Sequence, residues 1–492
     1  MSPARCLSLL VLLIAGTALL RLLAAAELGL TIDETYMVAA GRVLHFGYFD
    51  HPPLSWWLSR GAALLLGSER PLVVRLPFVA LFSVSTLLVY RLGALACSPP
   101  AGLWAAVALN LAPVLGITTG FWVLPDGPLV CALLGAGYCL MRALPDQEAH
   151  WGWWLGAGAC AGLALLSKYS AVLTLAGAVL YLASSPVHRR WLGRPQPWVA
   201  VALAAVLFAP VVGWNASHGW ASFAFQGGRA AAQRLNLGGP PLVLAGAALY
   251  LLPWIWAGLV IALVRGLSAG PRARQSWLLC CLALPPIVGF AVVALWSPRV
   301  LPHWAVPGYL FAFPLLGAEL ARLAETRPKL LRRATTATVA LLAFGLLVTA
   351  AELRWHWLGA VAPGFDPGLQ ALDWTPLRGD LKGRGLLLRP DTVIAGTSWW
   401  VTGKLDYALG GDPPVLCFNP DGREYNYAPG PATRLGQDVL LLGPGLDGAR
   451  VQASYGRLFD SIDELPPAQL RFPARPAAAI PMFLGHHLRA WP

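Results

Sequence analysis

Residues 7–34 read LSLLVLLIAGTALLRLLAAAELGLTIDE. From Leu7 to Ala26 the run is apolar and long enough for a helix to cross a hydrocarbon core of about 30 Å. It is followed by an acidic pair, Asp33 and Glu34, set where such a helix meets water. A chain this apolar spends few carboxylates, and two at a membrane boundary point to chemistry at that surface.

The rest of the chain repeats the apolar theme. Of 492 residues 57% are hydrophobic and only 12% charged, with a mean hydropathy of +0.59, which excludes an ordinary soluble globule. Apolar spans are expected over residues 7–26, 72–97, 101–119, 121–142, 151–166, 169–185, 197–214, 240–264, 276–296, 304–323 and 334–352. The expectation is an all-α polytopic membrane protein of about eleven transmembrane helices. Arg5 before a run ending in Ala24-Ala25-Ala26 resembles a signal peptide, but the length of the run favours an uncleaved helix.

The net charge of +12 does not point to nucleic acid, because the basic residues are spread over short loops with no basic tail or binding module. With a cytoplasmic N-terminus, Arg142, the Arg189, Arg190 and Arg194 cluster, Arg265, Arg272 and Arg274, and the run from Arg322 to Arg333 all fall inside. The same count puts the Asp33 loop, residues 215–239 and everything after 353 on the outer face. Arg42, Arg60, Arg70 and Arg75 then break the positive-inside rule, which gives them another task. The eight cysteines, all but Cys417 in or beside apolar segments, show neither a disulfide framework nor zinc spacing.

Beyond residue 352 Pro, Gly and Asp rise. Thr392 to Ala395, Pro414 to Phe418 and Val439 to Leu442 read as strands, with a short helix over Ser398 to Leu409. The expected organisation is a membrane domain over 1–352 and a small extracytoplasmic α/β domain over 353–492.

The outer face gathers the groups able to carry chemistry. Asp33 and Glu34 open a polar loop holding Tyr36, Asp50 and His51, and Pro52-Pro53 fixes the backbone before an aromatic stretch suited to the interface. Asp126, at the outer end of the fourth span, serves as a helix cap, as a site carboxylate, or as both. Lys168 sits at a span boundary, where its ammonium either snorkels or meets a lipid phosphate. Arg75 is a similar candidate. Residues 215–229 and Pro298 to Trp304, with His218, Arg299 and His303, face outward too. Histidines near carboxylates leave a divalent metal open, with Asp50 and His218 as the ligands, although no metal-binding spacing is present. Gly158 and Gly162 read as a small-residue pair for close helix packing.

In order along the chain, Asp33-Glu34, Asp50-His51-Pro52-Pro53-Leu54, Arg75-Leu76-Pro77, Pro125-Asp126, Ser167-Lys168-Tyr169 and Pro302-His303-Trp304 resemble the bacterial branch of the protein O-mannosyltransferase and aminoarabinose transferase superfamily, integral membrane glycosyltransferases of the GT-C fold. The resemblance covers roughly residues 28–310. It implies transfer of a sugar from a polyprenyl-phosphate donor to an acceptor, whether lipid A, an envelope glycan, a lipid or a protein, on the periplasmic face of the inner membrane.

On this resemblance Asp33 matches the catalytic aspartate and acts as general base in an inverting transfer, with Glu34 and Asp126 beside it. Lys168, Arg75, Arg299 and His51 are the expected partners of the donor phosphate, and Asp50, Tyr36 and His303 position the sugar or acceptor. No cofactor is required. Where aminoarabinose transferases have Lys-Pro after an acidic residue, this chain has His51-Pro52, so His51 serves only when protonated or through a hydrogen bond. The alternative is a transporter or flippase for a lipid-linked or anionic substrate, because charges in apolar helices also mark substrate paths.

Overall fold

The structure, a computed structural model, describes residues 1–145, 150–231, 233–362, 367–387, 392–427, 434–472 and 474–490. Among these, six helices are long and apolar enough to cross a membrane: Pro3–Glu27, Pro71–Ala96, Pro195–Ser217, Arg274–Val293, Pro302–Thr326 and Pro328–Trp355. Five of the six open on proline, whose missing N–H is no loss in a first helical turn. Helix Pro328–Trp355 is only 6% buried over its most apolar window, a face that suits lipid and not water.

Proline also breaks two of the expected spans. Over 101–119 there are two helices, Pro99–Leu111 and Pro113–Ile117, because Ala112 is held extended before Pro113. The break is served by Arg21, which donates from Nε to the Gly116 carbonyl at 3.0 Å and from Nη2 to Asn110 Oδ1 at 3.0 Å. Over 240–264, Gly239–Leu251 and Pro253–Ala269 meet at 115°, with Leu252 at φ 72° between them. The expected span at 151–166 forms the helix Trp151–Ser167, and those at 121–142 and 169–185 form the shorter helices Asp126–Ala143 and Ala171–Ser184.

The chain divides into two compact units. The first comprises Met1–Ala24, His45–Leu58 and Arg75–Leu342; the second comprises Ala25–Leu44, Ser59–Val74 and Ala343–Pro492. The first is a helical bundle. Its helices approach closely where side chains are smallest: a Cβ on Gly158 would meet the Ala200 carbonyl oxygen at 2.5 Å, so Trp151–Ser167 lies directly on Pro195–Ser217.

The second unit is built on a five-stranded sheet of β1 (Thr392–Gly396), β2 (Val415–Cys417), β3 (Asp438–Leu442), β4 (Ser461–Leu470) and β5 (Ala478–His486). Its order is β2-β1-β3-β5-β4, with β1 parallel to β2 and β3, and β5 antiparallel to β3 and β4. Alternate residues bury on opposite faces, Ile394, Leu440 and Leu442 in one cluster and Val393, Val439 and Leu441 in another. β4 and β5 were not expected from the sequence. Pro466 and Pro467 sit at the irregularity in β4, at the sheet edge, where no partner strand asks for their missing N–H groups.

The second unit takes in more than residues 353–492. Helix Ile32–Ala40 stands where a polar loop was expected, and it packs on helix Trp399–Leu409 so closely that a Cβ on Gly403 would meet the Tyr36 Cα at 2.8 Å. Buried Lys404 fastens the join, donating to the carbonyls of Leu30 and Leu372 at 2.5 and 2.8 Å.

Candidate active site

In the helical unit a cation and a carboxylate meet at two helix ends. Lys168 follows helix Trp151–Ser167 in extended conformation, and Asp126 opens helix Asp126–Ala143. The Lys168 ammonium donates to both Asp126 oxygens, at 2.9 and 3.0 Å, with the two side chains 14% and 19% exposed. Pro125, not Asp126, is the N-cap, and no side-chain capping bond forms there. The carboxylate faces Lys168. An ammonium has three donors, and among the described residues Lys168 has only this one acidic partner.

Other expected residues gather around the pair. His303 and His51 lie near enough to feel the charge of Asp126, and Arg229 and Lys168 both act on His303. The Arg229 guanidinium lies 4.4 Å from the centre of the Trp304 ring and 5.6 Å from that of Phe225. Asp50 is buried; its backbone carbonyl accepts a hydrogen bond from the Gln226 amide, and its charge reaches Tyr169. The Tyr169 hydroxyl is 2.7 Å from Ser222 Oγ. Segments 50–51, 126, 168–169, 222–229 and 303 thus form one polar cluster.

The structure places three more of the expected members as follows. Arg75 is fully buried over the Phe121 ring at 5.4 Å, with no surface open to solvent. Arg299 is exposed and makes no ion pair or ring contact with the cluster. His218 stacks on Trp214 at 4.2 Å, with Nδ1 2.8 Å from the Trp214 carbonyl and 3.0 Å from Ser217 Oγ. Among the described residues no group of three or more His, Cys, Asp or Glu side chains is arranged to hold a metal ion. Burial first and His218 second hold nearby His45 below the usual histidine range.

In the second unit the acidic pair separates by burial. Asp33 is exposed, while Glu34 is fully buried and its carboxylate accepts from the Thr31 backbone N–H at 2.9 Å, closing the capping box of helix Ile32–Ala40. That is a structural use of the Glu34 carboxylate. Tyr36 too has a structural use in this unit. Its buried ring packs on Trp399 and Tyr425, with centroids 5.4 and 5.9 Å away, and its hydroxyl accepts from the Glu424 N–H at 3.2 Å.

Two of the four arginines expected on the outer face are paired here. Arg42 donates to Glu69 at 2.7 Å and to Asp406 at 2.8 Å, and Arg60 reaches the same Glu69 at 3.1 Å. Glu69 and Asp406 were not singled out in the sequence; the signal was the two arginines on the wrong side of the positive-inside rule. Burial raises the Asp406 carboxyl above its usual range in spite of Arg42, partly because Glu69 brings a second negative charge. Arg42, held by two carboxylates, goes up despite its burial.

With this geometry in place, the likeness to known proteins is specific. Residues 50–214 match the family described as Dolichyl-phosphate-mannose-protein mannosyltransferase. The structure superposes on ArnT from Cupriavidus metallidurans in its apo state with a TM-score of 0.66 at 15% identity, covering 96% of this chain and 97% of that one. The fold is the GT-C fold. The same ArnT bound to undecaprenyl phosphate matches equally, with a TM-score of 0.66 at 16% identity over 97% of this chain and 98% of that one. Over 294 residues the chain is 24% identical to the lipid A galacturonosyltransferase RgtD of Rhizobium johnstonii, a match that takes in 57% of this chain and 58% of that relative. Family match, relative and GT-C architecture all carry the resemblance to the O-mannosyltransferase and aminoarabinose transferase superfamily.

Proposed function

We propose that this chain is a membrane glycosyltransferase that moves a sugar from a polyprenyl-phosphate donor to an envelope glycolipid on the periplasmic face of the inner membrane. The observation that carries the reading is the Lys168–Asp126 pair. It places a half-buried ammonium with unspent donor capacity at a helix junction, among His51, His303 and Arg229. Such a site suits an anion that arrives with a lipid. Supporting it are the GT-C fold shared with an ArnT that binds undecaprenyl phosphate and the sequence likeness to a lipid A galacturonosyltransferase. The likeness to the latter favours lipid A or a related glycolipid as acceptor.

In this reading Asp33 takes the proton from the acceptor hydroxyl as that oxygen attacks the anomeric carbon. The bond from that carbon to the phosphate oxygen breaks, the configuration inverts, and polyprenyl phosphate leaves with the bonding pair. Lys168 supplies positive charge to the departing phosphate, and Asp126 holds the ammonium in place until the donor arrives. The periplasmic orientation rests on the distribution of arginines over the loops.

The test is transfer by the purified protein from a panel of polyprenyl-phosphate sugars to envelope lipid extract, with Asp33→Asn in parallel. Transfer by the wild type and not by the variant is the expected result. No transfer from any donor, together with uptake of a lipid-linked or anionic substrate into vesicles, would replace this reading with a transporter.

A further inference from the structure

The helical unit holds a second polar concavity made from other residues. A cavity of about 390 Å³ is lined by apolar Met141, Leu144 and Leu278 together with His188, Arg272 and Arg274. Its residues come from the ends of helices that carry the cluster Arg189, Arg190 and Arg194 and the arginines 272 and 274. In the orientation proposed above this is the cytoplasmic end of the bundle, opposite the transfer chemistry.

Among the described residues the charged side chains of the lining are basic. Arg272 and Arg274 are exposed, and neither has an ion-pair partner among the described residues. His188 is buried, and its Nδ1 lies 2.6 Å from the Tyr181 hydroxyl. Burial first, then the charges of Arg274 and Arg190, push its pKa down. Arg274 also opens the 20-residue helix Arg274–Val293, whose N-cap position is Ala273, a lining residue with no side chain able to satisfy the first-turn N–H groups. Two guanidiniums and a row of uncapped amides meet an apolar wall in one space. That combination fits a phosphate group carried on a hydrocarbon chain.

We infer that this cavity is a phosphate-binding site for an anionic phospholipid of the inner leaflet, separate from the donor site. The phosphate sits against Arg272, Arg274 and the helix start, and the acyl region lies along Met141, Leu144 and Leu278. Occupancy would tie the ends of several helices together at the face remote from the reaction.

The experiment uses full-length protein in detergent, titrated with phosphatidylglycerol and separately with inorganic phosphate, with retention read by native mass spectrometry. The double variant Arg272→Ala/Arg274→Ala should weaken phosphatidylglycerol binding by roughly fivefold per arginine. Arg332→Ala/Arg333→Ala removes the same charge from two exposed residues of another helix outside the lining and should leave binding unchanged. Ser276→Glu, which brings a negative charge into the lining, should act like the first double variant. Displacement of the lipid by inorganic phosphate would make the free ion the preferred source, and resistance to displacement would make it the lipid. Equal weakening in both double variants would reduce the effect to general surface charge and overturn the site. So would the absence of binding of either probe by the wild type.

Discussion

The two units each hold a part-buried cation, and the cations are used in opposite ways. Arg42 sends its guanidinium donors to Glu69, to the Asp406 carboxylate and to the Asp406 carbonyl, so that its hydrogen-bonding capacity is spent inside the fold. Lys168 sends its ammonium to a single carboxylate. A saturated guanidinium between two carboxylates is a rivet, since any ligand would have to replace well-formed charge-assisted bonds. A half-buried ammonium with one partner is a socket. The same contrast runs through the carboxylates: Glu34 is committed to a helix cap, whereas its neighbour Asp33 is exposed.

The largest effect expected is on Asp33. Replacing it by Asn removes the proposed proton acceptor at almost constant volume, and transfer should fall by about 10²–10⁴-fold. Because the side chain is exposed, thermal stability should be unchanged. A fully active Asp33→Asn protein would move the base elsewhere. The next effect belongs to the socket. Lys168→Ala should cut transfer by about 10²-fold, with the loss appearing chiefly in the dependence on donor concentration and little in that on acceptor. Equal loss on both substrates would return Lys168 to a structural pairing with Asp126 and remove the contrast with Arg42.

How far the sequence reveals these features follows from the range of the interactions involved. Lys168 and Asp126 were legible because an ionisable group at the end of an apolar helix is conspicuous wherever its partner lies. Arg42 and Asp406 are 364 positions apart, and their pairing cannot be read from either neighbourhood. Hydropathy alone marks one span over 101–119 and another over 240–264; the breaks come from the backbone limits that Pro113 and Pro253 impose on Ala112 and Leu252. β1, β2 and β3 show as apolar runs, while β4 and β5 carry prolines and charges that disguise them. Tyr36 illustrates the hardest case, a polar aromatic in a segment that reads as a surface loop and becomes core only once helix Trp399–Leu409 covers it.

The rivet is tested by stability. Arg42→Ala takes the guanidinium partner away from two part-buried carboxylates at once, and the second unit should lose about 3–5 kcal/mol, read as an earlier unfolding transition in a thermal scan. Arg42→Ala/Asp406→Leu should recover part of that loss, because the second change removes one of the two orphaned charges that make the first so costly. A double variant no more stable than the single one would place the penalty on Glu69 and Arg60 instead.

The smallest effect concerns a third ionic contact, at the edge of the sheet. His486, at the end of β5, has Nδ1 3.0 Å from Asp438 of β3 and Nε2 3.0 Å from Asp463 of β4, so its protonated ring links three adjacent strands by donating on both sides. The hydrogen bond to Asp463 raises its pKa above the ordinary value against the opposing effect of burial, and the bond and charge of Asp438 add to the rise. Protonation is therefore favoured by folding. The stabilisation is fully present below the unfolded histidine value of about 6.5 and is lost as pH rises through the higher folded value. His486→Gln should accordingly narrow the gap in melting temperature to the wild type as pH increases. The side chain is one-third exposed, so solvent screens the pair and the shift should stay small. A gap independent of pH would show that His486 acts through packing or neutral hydrogen bonds, and charge would then matter in the second unit only where Arg42 buries it.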